Sequence, residues 1–304
     1  MKPRIFITGG SGLLALNWAM AIRDSYTVIL GLHEREIALA GVQAKRIDLE
    51  STDDLTRALE TAQPQIVVHT AGLTSVEQCE AEPDRAQHVN VELAANVAKI
   101  CAKLGLRLVH ISTDHLYAGK VPLVDETFPV VPVNTYGRTK AEAESRVFEA
   151  HPQSLVIRTN FYGWGTSYRH SFSDVVIQAL RAEKELTLFQ DVFYTPILVE
   201  TVILAVHDLV DLKASGIFHV VGDERISKYE FGLKLAQEFN LATTLLKPGY
   251  ITDQSTLALR PHDMSLSNQK ICKLLGRKLG GVGEHIARLH QQEQNGIAQE
   301  IQNL

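Results

Sequence analysis

The sequence predicts an α/β protein whose core is a parallel β-sheet with helices on both faces. Up to about residue 160, short apolar segments alternate with longer amphipathic ones. The short segments are apolar throughout, which is typical of parallel strands buried on both faces. A glycine-rich turn follows the first of these segments. Together, these three observations indicate a doubly wound, Rossmann-type sheet.

The individual elements follow from the apolar runs, the capping residues and the prolines. Helix 52–62 begins at a hydroxyl residue and carries Asp53 and Asp54 in its first turn, and Pro64 marks its end. Strands are predicted at 4–8, 26–30, 44–47, 65–70, 107–112 and 155–158. Helices are predicted at 13–24, 52–62, 86–104 and from about Tyr136 to 149.

Beyond about Asn160 the alternation is less regular. A helix is predicted at 173–182 and a strand at 216–222. Another helix is predicted at 227–239, where Ser227 and Glu230 form a capping-box pattern. We therefore expect a first domain over 1–160, to which the strand near 216–222 returns. A smaller, C-terminal lobe should be formed mainly by 161–304.

The composition argues against several classes of protein. The 304 residues carry a net charge of -5 and no Lys/Arg block, which argues against nucleic-acid binding. The three cysteines are widely spaced, so neither disulfides nor a metal site is expected, and a reducing cytoplasm is favoured. No apolar run approaches the roughly 20 residues of a membrane helix, and the N-terminus does not resemble a signal peptide.

The glycine turn is the first candidate site. The run 10–15, Gly-Ser-Gly-Leu-Leu-Ala, fits the G-x-G-x-x-G/A pattern between a strand and a helix. Such a turn lets the backbone approach the pyrophosphate of a dinucleotide, whose charge then faces a helix N-terminus. The candidate cofactor residues in this turn are Gly9, Ser11, Gly12, Leu13 and Leu14.

The residues after the second strand bear on the choice of cofactor. No acidic residue ends that strand, and His33 and Arg35 follow it. Because a basic residue there accepts the 2′-phosphate of NADPH, the sequence favours NADPH over NADH. The alternative is that both are solvated loop residues.

Two further strand ends offer candidate cofactor contacts. Asp48 and Leu49 follow the third strand, where the carboxylate would either bind an adenine amine or cap the next helix. Ala71 and Gly72 end the fourth strand. These small residues permit close approach by a flat cofactor, or simply a tight turn.

Tyr136 and Lys140 form the candidate catalytic centre. They are four residues apart, so they share one face of a helix. Ser112 and Thr113 end a buried strand and are expected to place hydroxyl groups opposite that face. Such a set can give or take a proton at a carbonyl or an alcohol. With the glycine turn, it indicates hydride transfer with a nicotinamide cofactor.

These motifs resemble those of the extended short-chain dehydrogenase/reductase family. Within it, the sequence is most similar to the dTDP-4-dehydrorhamnose reductase branch, and the resemblance extends over nearly the whole chain. The segments that carry it are the glycine turn, 48–49, 70–72, Asn90, 112–119, Tyr136-x-x-x-Lys140, 158–163 and Arg260-Pro261.

The resemblance implies NADPH-dependent reduction of the 4-keto group of a nucleotide-linked 6-deoxy sugar, by an enzyme that is commonly a homodimer. Tyr136 would donate the proton, and Lys140 would lower the pKa of Tyr136 and bind the nicotinamide ribose. Thr113 would hydrogen-bond the substrate oxygen. The implied cofactor contacts also include Asn90 and Ser112, and the implied substrate contacts are Thr113, Asp114, His115, Asn160, Phe161 and Arg260.

The chain departs from the branch around the expected sugar site. Residues 115–119 are His-Leu-Tyr-Ala-Gly where the branch usually has Tyr-Val-Phe-Asp-Gly, and Phe161 replaces a tryptophan. Arg169, His170 and Arg181 are additional candidates for a diphosphate site, or packing residues at a lobe junction. The alternative functions are a nucleotide-sugar epimerase or dehydratase, or a non-catalytic NADP-binding regulatory subunit resembling that of methionine adenosyltransferase.

Overall fold

A computed structural model describes residues 2–254 and 257–304 of the chain. Within them the chain forms thirteen strands and twelve α-helices. The strands are β1 Arg4–Thr8, β2 Thr27–Leu32, β3 Gln43–Arg46, β4 Ile66–His69, β5 Arg107–Ile111, β6 Leu155–Arg158, β7 Phe161–Tyr162, β8 Leu186–Phe189, β9 Phe193–Tyr194, β10 Ile197–Leu198, β11 Gly216–His219, β12 Ile226–Ser227 and β13 Leu246–Gly249. The helices are α1 Leu13–Ile22, α2 Thr52–Ala62, α3 Val76–Ala81, α4 Pro83–Gln87, α5 Leu93–Leu104, α6 Thr135–Ala150, α7 Phe172–Arg181, α8 Val199–Asp211, α9 Lys228–Glu238, α10 Gln269–Leu275, α11 Val282–Gln294 and α12 Ile297–Gln302.

Seven parallel strands form the central sheet, in the order β11-β6-β5-β4-β1-β2-β3. The strand order reverses between β1 and β4. Thr8 at the end of β1 lies in register with Gly31 on one side and His69 on the other. In sheets of this kind, ligands bind in the crevice at the carboxyl ends of the strands, beside the point of reversal.

Apolar helices cover both faces of the sheet, as continuous apolar strands require. On one face, Trp18 of α1 and Ile203 of α8 pack against strand residues such as Ile7. On the other face, Leu59 of α2, Val97 of α5 and Val147 of α6 share one apolar cluster, in which α5 packs against both α2 and α6. The sequence prediction of a Rossmann-type α/β fold is confirmed.

A second core lies in the C-terminal part of the chain. Phe231 of α9 is fully buried there, and its ring meets those of Tyr162, Phe172 and Tyr194. Helices α7, α9, α11 and α12 and three two-stranded sheets surround this core. Ser227 and Glu230 form the capping box that their spacing predicts at the start of α9.

The long helix predicted at 86–104 is interrupted. Helix α4 passes into a π-helical turn, His88–Glu92, before α5 begins. Asn90 lies in this turn and hydrogen-bonds the backbone of Leu73 and the hydroxyl of Thr139. The turn brings the amide to a position that joins two separate segments, and π-helical turns often mark such places.

No helix in the described ranges is both long enough and apolar enough to cross a bilayer.

Candidate active site

A cavity of about 720 Å³ opens at the carboxyl ends of the central strands, where the strand order reverses. It brings together the glycine turn, the ends of β4, β5 and β6, and the start of α6. The predicted site residues that line it are Gly9, Ser11, Gly12, Leu13, Leu14, Arg35, Ala71, Gly72, Asn90, Ser112, Thr113, Asp114, His115, Tyr136, Lys140, Asn160 and Phe161.

The glycine turn forms one wall of this cavity. Gly9 has a φ of 68°, and a Cβ atom there would lie 2.8 Å from the backbone of Ala71. Gly12 precedes α1, so no side chain caps the first amides of that helix. A glycine cradle at an uncapped helix N-terminus suits the pyrophosphate of a dinucleotide.

The two basic residues after β2 have different surroundings. The Arg35 guanidinium stacks on the Tyr168 ring, 3.7 Å from its centroid, and the Tyr168 hydroxyl donates to the Ser11 carbonyl at 2.8 Å. His33 does not line the main cavity. It lies in an adjoining cavity of about 250 Å³ with Arg35 and with Arg46, which sequence reasoning did not select.

Asp48 and Leu49 do not line the cavity, in contrast to the predicted adenine contact. The exposed Asp48 carboxylate accepts a hydrogen bond from the Glu50 amide at 2.9 Å, and the Asp48 amide donates to Asp54 at 2.9 Å. Asp48 therefore contributes to local turn structure before α2. Asn90 does line the cavity, but both ends of its amide are used by Leu73 and Thr139.

Ser112 and Thr113 directly follow β5 and have different environments. The Ser112 hydroxyl donates to the buried Glu144 carboxylate at 2.5 Å, so this hydroxyl is already hydrogen-bonded within the protein. The Thr113 hydroxyl faces Tyr136 closely enough to oppose the rise in its pKa, and also donates to Asp114 at 3.2 Å. Asp114 in turn accepts a hydrogen bond from the Asn160 amide.

Tyr136 is buried at the cavity, with its ring edge-on to His115 at a centroid distance of 5.5 Å. Burial raises the pKa of Tyr136 to about 12, and the Thr113 hydrogen bond only partly opposes this rise. Lys140, which is expected to lower this pKa, does not bring it below its ordinary value, because desolvation of the phenolate is the larger effect. Tyr136 is therefore a neutral phenol near pH 7.

Lys140 lies beside Tyr136 on α6, with only 6% of its surface exposed. Its ammonium donates to the Ile111 carbonyl at 2.7 Å and lies 3.4 Å from Nε2 of His110. Burial lowers the pKa of Lys140 to about 8. Lys140 consequently carries its charge near pH 7 and loses it only slightly above.

A second cavity, of about 370 Å³, continues from the first through Val76, His115 and Asn160. Its walls are largely apolar, and Arg260 and Lys228 contribute positive charges. Sequence reasoning missed Lys228, because its position depends on the packing of the C-terminal core. The Lys228 ammonium lies 3.5 Å from the Tyr194 ring centroid and 4.5 Å from that of Phe172, and burial lowers its pKa to about 8.

The other three residues predicted to bind a diphosphate lie in different places. Arg169 lines the first cavity and donates to the Thr74 hydroxyl at 2.5 Å. His170 lies next to Gln178. Arg181 lines neither cavity and pairs with Glu293 at 2.7 Å, so it is a surface ion-pair residue.

The parallel sheet, the glycine turn and the Tyr136/Lys140 helix together define a short-chain dehydrogenase/reductase of the extended type. The chain belongs to the family described as RmlD substrate binding domain, whose family model matches residues 2–295.

Known proteins similar to this chain have different roles. It is 27% identical to the probable low-salt glycan biosynthesis reductase Agl14 of Haloferax volcanii over 275 residues, 89% of this chain and 92% of the relative. It is 30% identical to methionine adenosyltransferase 2 subunit beta of Rattus norvegicus, over 88% of this chain and 81% of that protein. Among solved structures, dTDP-4-dehydrorhamnose reductase from Bacillus anthracis in complex with NADP is 25% identical, with a TM-score of 0.86 over 96% of this chain and 100% of that one.

Proposed function

We propose that this protein reduces the 4-keto group of a nucleotide-linked 6-deoxy sugar, with NADPH as the reductant. One observation carries the proposal: a single cavity is lined by the glycine turn and by Thr113, Tyr136 and Lys140. Similarity to a dTDP-4-dehydrorhamnose reductase with NADP over the full length of that chain supports the same function.

In this proposal, each catalytic side chain acts in the protonation state that its surroundings favour. A bound nicotinamide supplies a hydride to the carbonyl carbon. Tyr136, a neutral phenol near pH 7, donates its proton to the carbonyl oxygen. The Thr113 hydroxyl hydrogen-bonds that oxygen as negative charge develops on it. The Lys140 ammonium favours the tyrosinate that forms and binds the nicotinamide ribose.

The residues of the adjoining cavity support a preference for NADPH. His33, Arg35 and Arg46 surround it, although Glu34 and Glu36 lie there too. The stacking of Arg35 on Tyr168 fixes its guanidinium next to the main cavity, where a 2′-phosphate would form a charge-assisted hydrogen bond. Arg35→Ala should weaken NADPH binding about tenfold, roughly the 1.4 kcal/mol of one such bond, and leave NADH binding almost unchanged. Equal losses for both cofactors would contradict this preference.

The second cavity supports a nucleotide-linked substrate. Lys228 offers positive charge for a diphosphate, Arg260 would do so by exchanging its ion pair with Glu77, and the apolar and aromatic walls suit a base. We infer that the sugar lies between the two cavities, near His115 and Asn160. Thymidine diphosphate is the nucleotide we favour, since the similar solved structure is that of a dTDP-sugar reductase.

The main test follows NADPH absorbance with a panel of nucleotide-linked 4-keto sugars. We expect oxidation that depends on the sugar, and a loss of about 100-fold or more in Tyr136→Phe, which removes the proton donor and leaves the ring. Near wild-type turnover by Tyr136→Phe would refute the mechanism.

A regulatory subunit is the second candidate, because methionine adenosyltransferase 2 subunit beta is 30% identical to this chain. Tight NADPH binding without oxidation by any sugar of the panel would favour this role. An epimerase or dehydratase is less well supported, because His115 follows Asp114 where a dehydratase would usually have an acidic pair.

We also propose a cytoplasmic homodimer that pairs through α5 and α6, which pack side by side on one face of the sheet. A monomer in sedimentation at micromolar concentration would contradict this assembly.

A further inference from the structure

A buried ion pair contacts Ser112, one of the residues that line the candidate active site. Glu144 of α6 and Arg158 at the end of β6 expose only 5% and 3% of their side chains. The guanidinium binds the carboxylate in a two-pronged manner, with Nη2 2.6 Å from Oε2 and Nε 3.0 Å from Oε1. The pair thus joins the helix of Tyr136 to the central sheet.

The carboxylate of this pair also holds the end of β5. The Ser112 hydroxyl donates to Oε1 of Glu144 at 2.5 Å, and the Ser112 amide donates to the Ile157 carbonyl at 2.7 Å. The next residue, Thr113, lines the same cavity as Tyr136, and its hydroxyl opposes the rise in the pKa of that phenol. The position of the Thr113 hydroxyl therefore depends on the position of Ser112, which Glu144 holds by a hydrogen bond.

Arg158 also forms hydrogen bonds away from Glu144. Its Nη1 donates to the Tyr117 hydroxyl at 2.6 Å, and this hydroxyl lies 3.0 Å from Nε2 of His219. Burial lowers the pKa of His219 to about 3, so its ring is neutral and shares a hydrogen bond with the Tyr117 hydroxyl. Two residues after Arg158, Asn160 donates to Asp114 in the cavity.

A contribution to folding stability does not by itself explain why this ion pair is buried here. Replacing a buried ion pair by uncharged side chains of similar volume is often neutral or stabilising, whereas removing one partner is costly. Here, however, the pair connects the three segments that carry Thr113, Tyr136 and Asn160. Glu144 also lies one turn beyond Lys140 on the same helix face, where its charge supports the ammonium.

We propose that Glu144, paired with Arg158, is a positioning residue for the reduction: it anchors Ser112 and thereby holds the Thr113 hydroxyl against Tyr136. This inference rests on the proposed reductase function. Glu144 itself does not line the cavity, so it acts through Ser112 and Arg158.

The test removes both charges together, in Glu144→Met with Arg158→Met, so that neither charge remains unpaired and no acceptor is left for the Ser112 hydroxyl. We expect the double variant to fold and to bind NADPH within about twofold of wild type, while kcat falls about tenfold or more, since misplaced catalytic groups cost rate rather than binding. Ser112→Ala, which leaves the ion pair intact, should lower kcat comparably. Combining it with the double variant should add little further loss, because residues that act as a unit are non-additive.

A remote ion pair provides the matched control. Arg23 and Glu300 also form a two-pronged pair, at 2.5 and 2.9 Å, away from both cavities. Arg23→Met with Glu300→Met should leave kcat unchanged. A folded Glu144/Arg158 double variant with wild-type kcat would overturn the proposal.

A crystal structure of the double variant gives a readout that needs no turnover. We expect the Thr113 hydroxyl to move away from Tyr136. An unchanged Thr113 position would overturn the positioning role, even if no keto sugar were a substrate. Failure of the proposed reductase function would instead appear in the wild-type protein, as the absence of sugar-dependent NADPH oxidation.

Discussion

Replacing Lys140 by methionine should increase the free energy of unfolding of the protein near pH 7. The pKa of Lys140 falls from 10.5 to about 8 because of burial. One unit of pKa corresponds to about 1.36 kcal/mol of free energy. A pKa that is lower by about 2.5 therefore means that the charged lysine destabilises the folded state by about 3 kcal/mol near pH 7. Methionine has a similar length and carries no charge, so it avoids this cost.

The pH dependence identifies the cause. Since the folded-state pKa is the lower one, the unfolded chain binds more protons between about pH 8 and pH 10.5, and wild-type stability rises across that window. The advantage of Lys140→Met should therefore shrink by about 2.5 kcal/mol between about pH 7 and pH 10. The hydrogen bonds lost to Ile111 and His110, about 1 kcal/mol each, reduce the advantage by an amount that does not depend on pH.

Urea unfolding followed by circular dichroism, at a series of pH values, measures this difference. Comparing the two proteins at each pH cancels the titration of groups that they share. Lys273→Met, at an exposed position of α10, is the control and should change the free energy of unfolding by less than about 0.5 kcal/mol throughout. A difference between wild type and Lys140→Met that stays constant from neutral to alkaline pH would refute the reasoning.

Three further substitutions test the geometry of the site. Gly137→Ala places a Cβ atom 2.3 Å from the His115 carbonyl, so we expect a loss of about 2 kcal/mol in urea unfolding instead of the gain usual for Gly→Ala in a helix; increased stability would contradict this packing. Gly9→Ala combines a φ of 68° with a 2.8 Å approach to the Ala71 backbone and should weaken NADPH binding about tenfold or more in a fluorescence titration; unchanged affinity would argue against the cradle. Thr113→Val should lower kcat about 100-fold with little change in NADPH affinity, and equal effects on both would argue against a role in the transition state.

The sequence was sufficient for those features that depend on local spacing. The continuous apolar strands, the glycine turn and the four-residue interval between Tyr136 and Lys140 each predict a structure within one segment. The parallel topology then brings the strand ends to one edge. For this reason, Thr113 and Tyr136 line one cavity although 23 positions separate them in the sequence.

The remaining features depend on contacts between distant segments. Lys228 reaches the second cavity only because α9 packs against Tyr194, and Ser112 turns to Glu144 because side chains of α6 reach the end of β5. The pKa of Tyr136 could not be predicted from the sequence either. The four-residue spacing indicates a nearby Lys140 charge, but it does not indicate the burial of the phenol, which is the larger effect on this pKa.

The path of the chain through the two cores has a consequence for protein engineering. Helix α8 packs on α1, and β11 pairs with β6, although both follow β7 and α7 in sequence. A truncation after residue 160 would remove one of the two edge strands, β11, and one covering helix, α8, so the N-terminal part should not fold alone. A chimaera that exchanges substrate specificity between relatives must therefore transplant several separate segments, because no single crossover point divides the two cores.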